Sequence, residues 1–288
     1  MIIAGNITLD DIVTKYGTYE NMLGGPPTYS VKPLHSVFGI RPSIYSCVGY
    51  DFPKEFENEI ASLSKLYITK SSKQTTKFRL VEENGRHLFL LSFSGEINYI
   101  DFSSESVYMF SPVYREIKVN FLSDACKVGL VSLDPQGYLR VVDENLRVHI
   151  KPNEIVWKAL KFVNIFRTSI DEYLALAEGL SIRRFLEKTY GLGVEVAIVT
   201  SSKKVYVVSN GKYLEFPTYP HVSVKSTTGA GDVFTSFFTY VYSRSYDLEK
   251  AITYAIVASS FAVENIGPSS ISRDHFFRRL REYMGFMY

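Results

Sequence analysis

With 288 residues, 46% hydrophobic and 22% charged, the chain has the length and composition of a folded soluble protein, and disorder is excluded. Lys and Arg number 32 against 30 Asp and Glu, a balance that argues against nucleic-acid or membrane-surface partners held by bulk charge. No stretch approaches the roughly 18–20 apolar residues of a membrane span, and "MIIAGNITLDDI" lacks the basic start of a signal peptide, so a cytoplasmic protein is expected.

The first predicted strand is Ile2–Ile7, and a second runs from Ser43 to Gly49. Helical periodicity follows over Phe52–Leu66. Lys77–Glu83 and His87–Phe93 then flank Asn84-Gly85, a strong hairpin signal because both turn residues tolerate positive φ. Further strands are expected at Val107–Val113, Lys127–Asp134, Leu160–Phe166 and Val194–Thr200, with a helix over Ser169–Gly191 before the last. A second Asn-Gly hairpin joins Lys204–Ser209 to Lys212–Phe216. Three helices close the chain: Asp232–Ser245, Leu248–Asn265 and Ser272–Met284. Ala251, Ala255, Ala258, Ser259 and Ala262 give the middle one a small-residue surface suited to close packing.

This alternation predicts an α/β fold, a doubly wound and mostly parallel sheet with helices on both faces. One domain over 1–288 is expected, with a small β-strand lid drawn from segments 10–24 and 75–95. Cys47 and Cys126 lie in apolar, strand-like runs without metal spacing and are expected to be buried free thiols. The five scattered histidines offer no zinc motif.

"STTGAGDVF", Ser226 to Phe234, places small residues and one carboxylate at the mouth of an apolar helix. Bare glycine backbone lets amides approach an anion, and the helix dipole adds partial positive charge. Asp232 can be read as an N-terminal carboxylate satisfying free amides. On the loop alone that structural reading is modestly favoured over the other, a general base beside a phosphate cradle. The loop has neither the Walker A pattern nor the third glycine of a dinucleotide fingerprint. Asp134 and Gln136, in "LDPQGYLR", fall near the expected crevice although a turn explains them; Arg167 and Lys225 are expected to be solvated charges, with phosphate contact the lesser alternative.

"TTGAGDVF" resembles the C-terminal signature of the ribokinase-like (PfkB) carbohydrate kinase family, usually D-T-x-G-A-G-D. "GNITLDD", "GGPPTYS", "VGYD", "SIDE" and "GPSS" resemble that family's other motifs in the family's order, so the resemblance spans the chain. It implies an ATP-dependent kinase, working with Mg²⁺, that phosphorylates a hydroxyl of a small sugar or polyol. On this resemblance Asp232 is the catalytic base, and the amides of Gly229, Ala230 and Gly231 form an anion hole. Asp10, Gly24, Gly25, Thr28 and Tyr29 meet the substrate. Thr200, Ser202, Thr227, Thr228, Gly229, Gly231, Asn265 and Gly267 meet the nucleotide, and Glu172 organises the metal through water. A homodimer built through lid strands is part of the same analogy.

The chain also departs from the family. Ser226 stands for the first Asp of the signature, Ser169 for an Asn, and "TSSKK" for a glycine-bearing nucleotide loop. "LGGPPTYSVKPL" with "SCVGYDF" resembles the archaeal and plant myo-inositol kinase branch, which favours inositol or a related cyclic polyol. A nucleoside kinase, with Tyr29 or Phe93 as a stacking slot, is the alternative. A degenerate member that only binds ligand is an alternative of another class, and retention of Asp232 argues against it.

Overall fold

The computed structural model describes residues 1–82 and 85–287; Asn84, half of the first predicted hairpin turn, and its neighbour Glu83 lie outside the described residues. A nine-stranded sheet forms the body, in the order Lys212–Pro217, Lys204–Ser209, Val196–Thr200, Ile165–Ser169, Leu130–Leu133, Val107–Phe110, Ile2–Ala4, Ser43–Val48, Lys65–Lys70. From Val196–Thr200 to Lys65–Lys70 every pairing is parallel. The hairpin across Asn210-Gly211 adds two antiparallel strands at one edge.

Side chains alternate across this sheet. Ile2 and Ala4 enter one core with Phe110, Leu133 and Phe166, while Ile3 enters the other with Met109, Ile165 and Val196. A sheet buried on both faces explains why its strands read as continuous apolar runs. Helix Ala230–Ser245 buries Val233, Phe234, Phe237, Phe238 and Val241 against the second core. Its neighbour Leu248–Ala262 meets that core through Ala251, Ala255 and Ala258, as the small-residue pattern predicts.

A separate four-stranded sheet has the order Gly17–Gly24, Thr8–Thr14, Lys77–Val81, His87–Ser92. The single strand expected over Ile2–Ile7 therefore ends at Ala4, and the chain crosses to this second sheet at Thr8. Other expectations also change. Ser169–Gly191 divides into helices Ile170–Leu176 and Ile182–Gly191, because Glu178 and Gly179 both adopt positive φ between them. Helix Pro26–Phe38, absent from the periodicity reading, starts on two prolines whose fixed φ and missing N–H suit a first turn. Strand Lys65–Lys70 was hidden in the predicted Phe52–Leu66 helix, which ends at Leu63. Cys47 is buried as expected, but Cys126 is exposed, because it closes helix Val119–Ala125 instead of lying in a strand.

Phe237 is fully buried, with ring centroids 5.2 Å from Phe38 and 5.6 Å from Phe276. Phe237→Ala is expected to lower unfolding free energy by about 3–5 kcal/mol. Denaturant melts test this, and a loss under about 1 kcal/mol would show that the helix layer is not the packed unit described.

Candidate active site

The central parallel strands end in polar residues on one side of the sheet. Ser111 follows Val107–Phe110, Asp134 follows Leu130–Leu133, and Thr200 ends Val196–Thr200. Ligands of open α/β sheets collect at these carboxyl ends. The second sheet faces the same region, and together they bound a cleft of about 490 Å³. Its lining includes Thr8, Asp10, Tyr29, Gln136, Gly229 and Asp232.

Asp232 lies in the first turn of helix Ala230–Ser245, whose N-cap Gly229 has φ 79° and offers no side-chain cap. The first-turn amides of that helix thus lack a side-chain partner from the cap, which fits an incoming anion. Gln136 Nε2 donates to Asp232 Oδ1 at 3.1 Å and the Ser111 hydroxyl donates to the same oxygen at 3.4 Å. Burial, reinforced by the Asp134 carboxylate and opposed by Arg167 and Arg140, raises the Asp232 pKa from 3.8 to about 7.

Two glycines make room for neighbouring functional side chains. A Cβ on Gly229 would fall 1.9 Å from the Tyr29 ring, and one on Gly24 would fall 2.1 Å from Asp10 Oδ2. The diglycine thus admits the Asp10 carboxylate. A bulge between Asp10 and Ile12 interrupts the strand register where Asp10 turns inward. Asp11 points the other way, into a 2.9 Å pair with Lys77. Burial lifts the Asp10 pKa to about 7 against the pull of the Thr8 hydroxyl, the Phe78 amide and Arg140. Tyr29 is buried, its hydroxyl has no partner among the described residues, and burial raises its pKa with help from Asp10 and Asp232. It also lines a second cavity of about 220 Å³ with Pro33, Val233, Ala262 and Gly267.

The remaining predicted residues divide. Thr28 is fully buried and donates to the Gly24 and Gly25 carbonyls at 2.7 and 2.9 Å, away from the cleft lining. Thr227 and Thr228 hydroxyls donate to Glu82 of the second sheet's hairpin at 3.2 and 3.4 Å. Thr200 Oγ1 accepts from Arg167 Nε at 3.1 Å. Ser202 is exposed, and its carbonyl accepts from Thr218. Asn265 donates to the Phe261 carbonyl at 2.9 Å, closing its own helix. Glu172 forms a capping box with Ser169, accepting from the Ser169 amide at 2.7 Å; burial and nearby Asp134 raise its pKa. Among the described residues no group of three or more His, Cys, Asp and Glu is gathered to hold a metal.

Arg167 corrects an expectation. It is not a solvated charge but a buried one, paired with Asp134 at 2.7 Å and pressed against Gly231, where a Cβ would lie 2.5 Å from Nη1. The sequence reading also missed Ser111, Arg86 and Arg140. Each sits at a strand or hairpin end with no motif of its own.

A carboxylate with a raised pKa at a helix mouth, beneath a covering sheet, defines a site built for proton transfer next to an anion. The chain matches the family described as pfkB family carbohydrate kinase over residues 6–274 and belongs to it. It is a phosphotransferase with a hydroxyl acceptor, on the ribokinase-like fold. It is 26% identical to the ATP-dependent 6-phosphofructokinase of Thermoanaerobacterium thermosaccharolyticum, over 93% of this chain and 88% of that one. Identity to the nucleoside kinase of Methanocaldococcus jannaschii is 24%, covering 80% and 75% of the two chains. A solved pyrophosphate-dependent kinase of the ribokinase family, complexed with a pyrophosphate analog and myo-inositol, shares the fold with TM-score 0.80, 21% identity and coverage of 96% and 99%. No helix among the described residues is long and apolar enough to cross a membrane.

Because the folded-state pKa of Asp232 lies above its unfolded value, the folded chain holds this proton more tightly between about pH 4 and pH 7. Stability from this group is therefore lost as pH rises through that window. Asp232→Asn is expected to melt at a higher temperature than the parent at pH 8, with the gap closing toward pH 4. A gap that is constant or widens on acidification would contradict the burial argument.

Proposed function

We propose that the protein transfers the γ-phosphoryl group of ATP to a hydroxyl of a small sugar or polyol, with Asp232 as general base. The observation that carries this reading is the placement of Asp232. Its carboxylate has a pKa of about 7, at the edge of the cleft and in the first turn of a helix without a side-chain cap. A base poised near neutrality can accept the acceptor's proton while it remains largely available for attack. The Gly229, Ala230 and Gly231 amides would meet charge developing on the transferred group, consistent with phosphoryl transfer by positioning and electrostatics.

Asp10 would accept hydrogen bonds from a second acceptor hydroxyl, and the unpartnered Tyr29 hydroxyl would meet a third polar group. The sheet containing Thr8–Thr14 and Lys77–Val81 would act as the lid, excluding water that would otherwise consume the donor. ATP supplies the phosphoryl group and would bring Mg²⁺ as its complex; Thr227 and Thr228 would turn from Glu82 to the nucleotide. Glu172 has one carboxylate oxygen committed to the Ser169 amide, and its other oxygen could meet metal-bound water. For a nucleoside, the aromatic slots are unfavourable. Phe93 packs edge-on against Tyr114 at 5.4 Å, and Tyr29 lies against Gly229. The polyol reading is therefore preferred.

Asp232→Asn is expected to lower kcat by about 10²–10⁴-fold with little change in ATP affinity, the usual worth of a general base. Steady-state kinetics on an accepted sugar or polyol would reject the assignment if only a few-fold were lost.

A further inference from the structure

Gln136 lines the cleft and touches Asp232, yet it has no task in the chemistry proposed above. It opens the short helix Gln136–Leu139 just after strand Leu130–Leu133. Its backbone amide donates to Asp134 Oδ1 at 3.2 Å, and Arg167 holds the other oxygen of that carboxylate. Gly137 lets the turn press on the segment that follows strand Val107–Phe110, since a Cβ there would fall 2.5 Å from the Pro112 carbonyl. Ser111 and Gln136, from the ends of two neighbouring strands, thereby reach one atom, Asp232 Oδ1, at 3.4 and 3.1 Å.

The Gln136 amide has one favourable orientation. Arg140 Nη2 donates to its Oε1 at 2.8 Å, which turns Nε2 toward Asp232. A flipped amide would set its NH₂ against a guanidinium and its carbonyl against a carboxylate, two repulsions in place of two hydrogen bonds. The ionisable groups that act on Asp232 are Asp134 and Arg167 at the strand ends, Arg140 on its hairpin and Tyr29 of helix Pro26–Phe38. Among the described residues none of these four hydrogen-bonds to it, and its Oδ2 accepts no hydrogen bond. The Gln136 bond is therefore the shorter of the two that hold the carboxylate plane. A neutral donor on one oxygen also favours the ionised form, the form a base must start from.

Resting on the general-base reading above, we infer that Gln136 is a positioning residue: oriented by Arg140, it holds Asp232 Oδ1 so that Oδ2 is left to take the acceptor's proton. The acceptor oxygen then bonds to the γ-phosphorus, the bond from that phosphorus to the β-γ bridging oxygen breaks, and ADP leaves. Gln136 exchanges no proton itself.

Carboxyl-¹³C NMR of the aspartates in the ligand-free full chain tests this, the Asp232 signal being identified by its loss in Asp232→Asn. Gln136→Leu removes the donor and is expected to raise the Asp232 midpoint from about 7 by roughly one pH unit, the worth of a hydrogen bond to a charged group. Should Gln136→Leu fail to fold, Gln136→Glu keeps the size and the acceptor for Arg140 while setting a second carboxyl against Oδ1. It should move the midpoint in the same direction. The acid limb of kcat, followed with ATP and whichever of myo-inositol, fructose and ribose is turned over, should move with it. At pH 7 kcat should fall about tenfold while the KM for ATP is kept. An unmoved midpoint would overturn the inference. So would a raised KM for the acceptor with the acid limb in place, the mark of a substrate contact. A shifted midpoint in a chain that forms no ADP with any sugar or polyol would sustain the coupling of Gln136 to Asp232 and sink the kinase reading. Asp232-dependent turnover with an unmoved midpoint would do the reverse.

Discussion

The site depends on a partly desolvated carboxylate held at the mouth of an apolar helix. Helix Ala230–Ser245 sinks Phe234, Phe237 and Phe238 into the core, which fixes its first turn against the ends of the parallel strands. Asp232 is partly exposed at the edge of the cleft, yet desolvation there still raises its pKa, so its proton is held more tightly than that of a free carboxyl. The helix dipole works the other way, favouring the ionised form. Near neutrality these tendencies balance, and the group can change its charge at small cost.

Charge compensation divides the cleft into two halves. Next to the helix mouth, Arg167, Asp134 and Thr200 form a closed hydrogen-bonded set, with Glu172 locked to Ser169 beside it. Those groups satisfy one another and hold the strand ends in place. Under the second sheet the balance is incomplete. Arg140 leans on a carbonyl, an amide oxygen and a ring, and Asp10 is a carboxylate with the amide of Phe78 3.4 Å away. The Arg167–Asp134 set is architecture, whereas the uncapped helix mouth and the groups under the second sheet are where an outside molecule has something to add.

Much of this was readable in the chain itself. The apolar strand runs, the Asn210-Gly211 hairpin and the glycine-bearing entry to the last helices are local signals, and the fold follows from them. Asp10 could be preferred over Asp11 because neighbouring strand residues face opposite ways. The structure adds the bulge that aims it. What escaped was set by tertiary contact. Arg167 looks like any surface arginine until Asp134, from a different strand, is placed 2.7 Å away. Arg140 follows a turn-forming "DPQG" and carries no pattern that distinguishes it. Helix Pro26–Phe38 was masked because prolines, read locally, suggest a break although at a first turn they begin a helix. Thr28 looked like a substrate contact beside the diglycine, yet its hydroxyl is spent on the turn's own carbonyls.

Tyr29 has a geometric consequence of its own. Its ring borders both cavities and leans on the bare α-carbon of Gly229, so it is a partition one aromatic ring thick between two chambers. On its far side the ring faces the smaller cavity lined by Ala262 and Gly267. The ring keeps this position only because its neighbour Gly229 carries no methyl group.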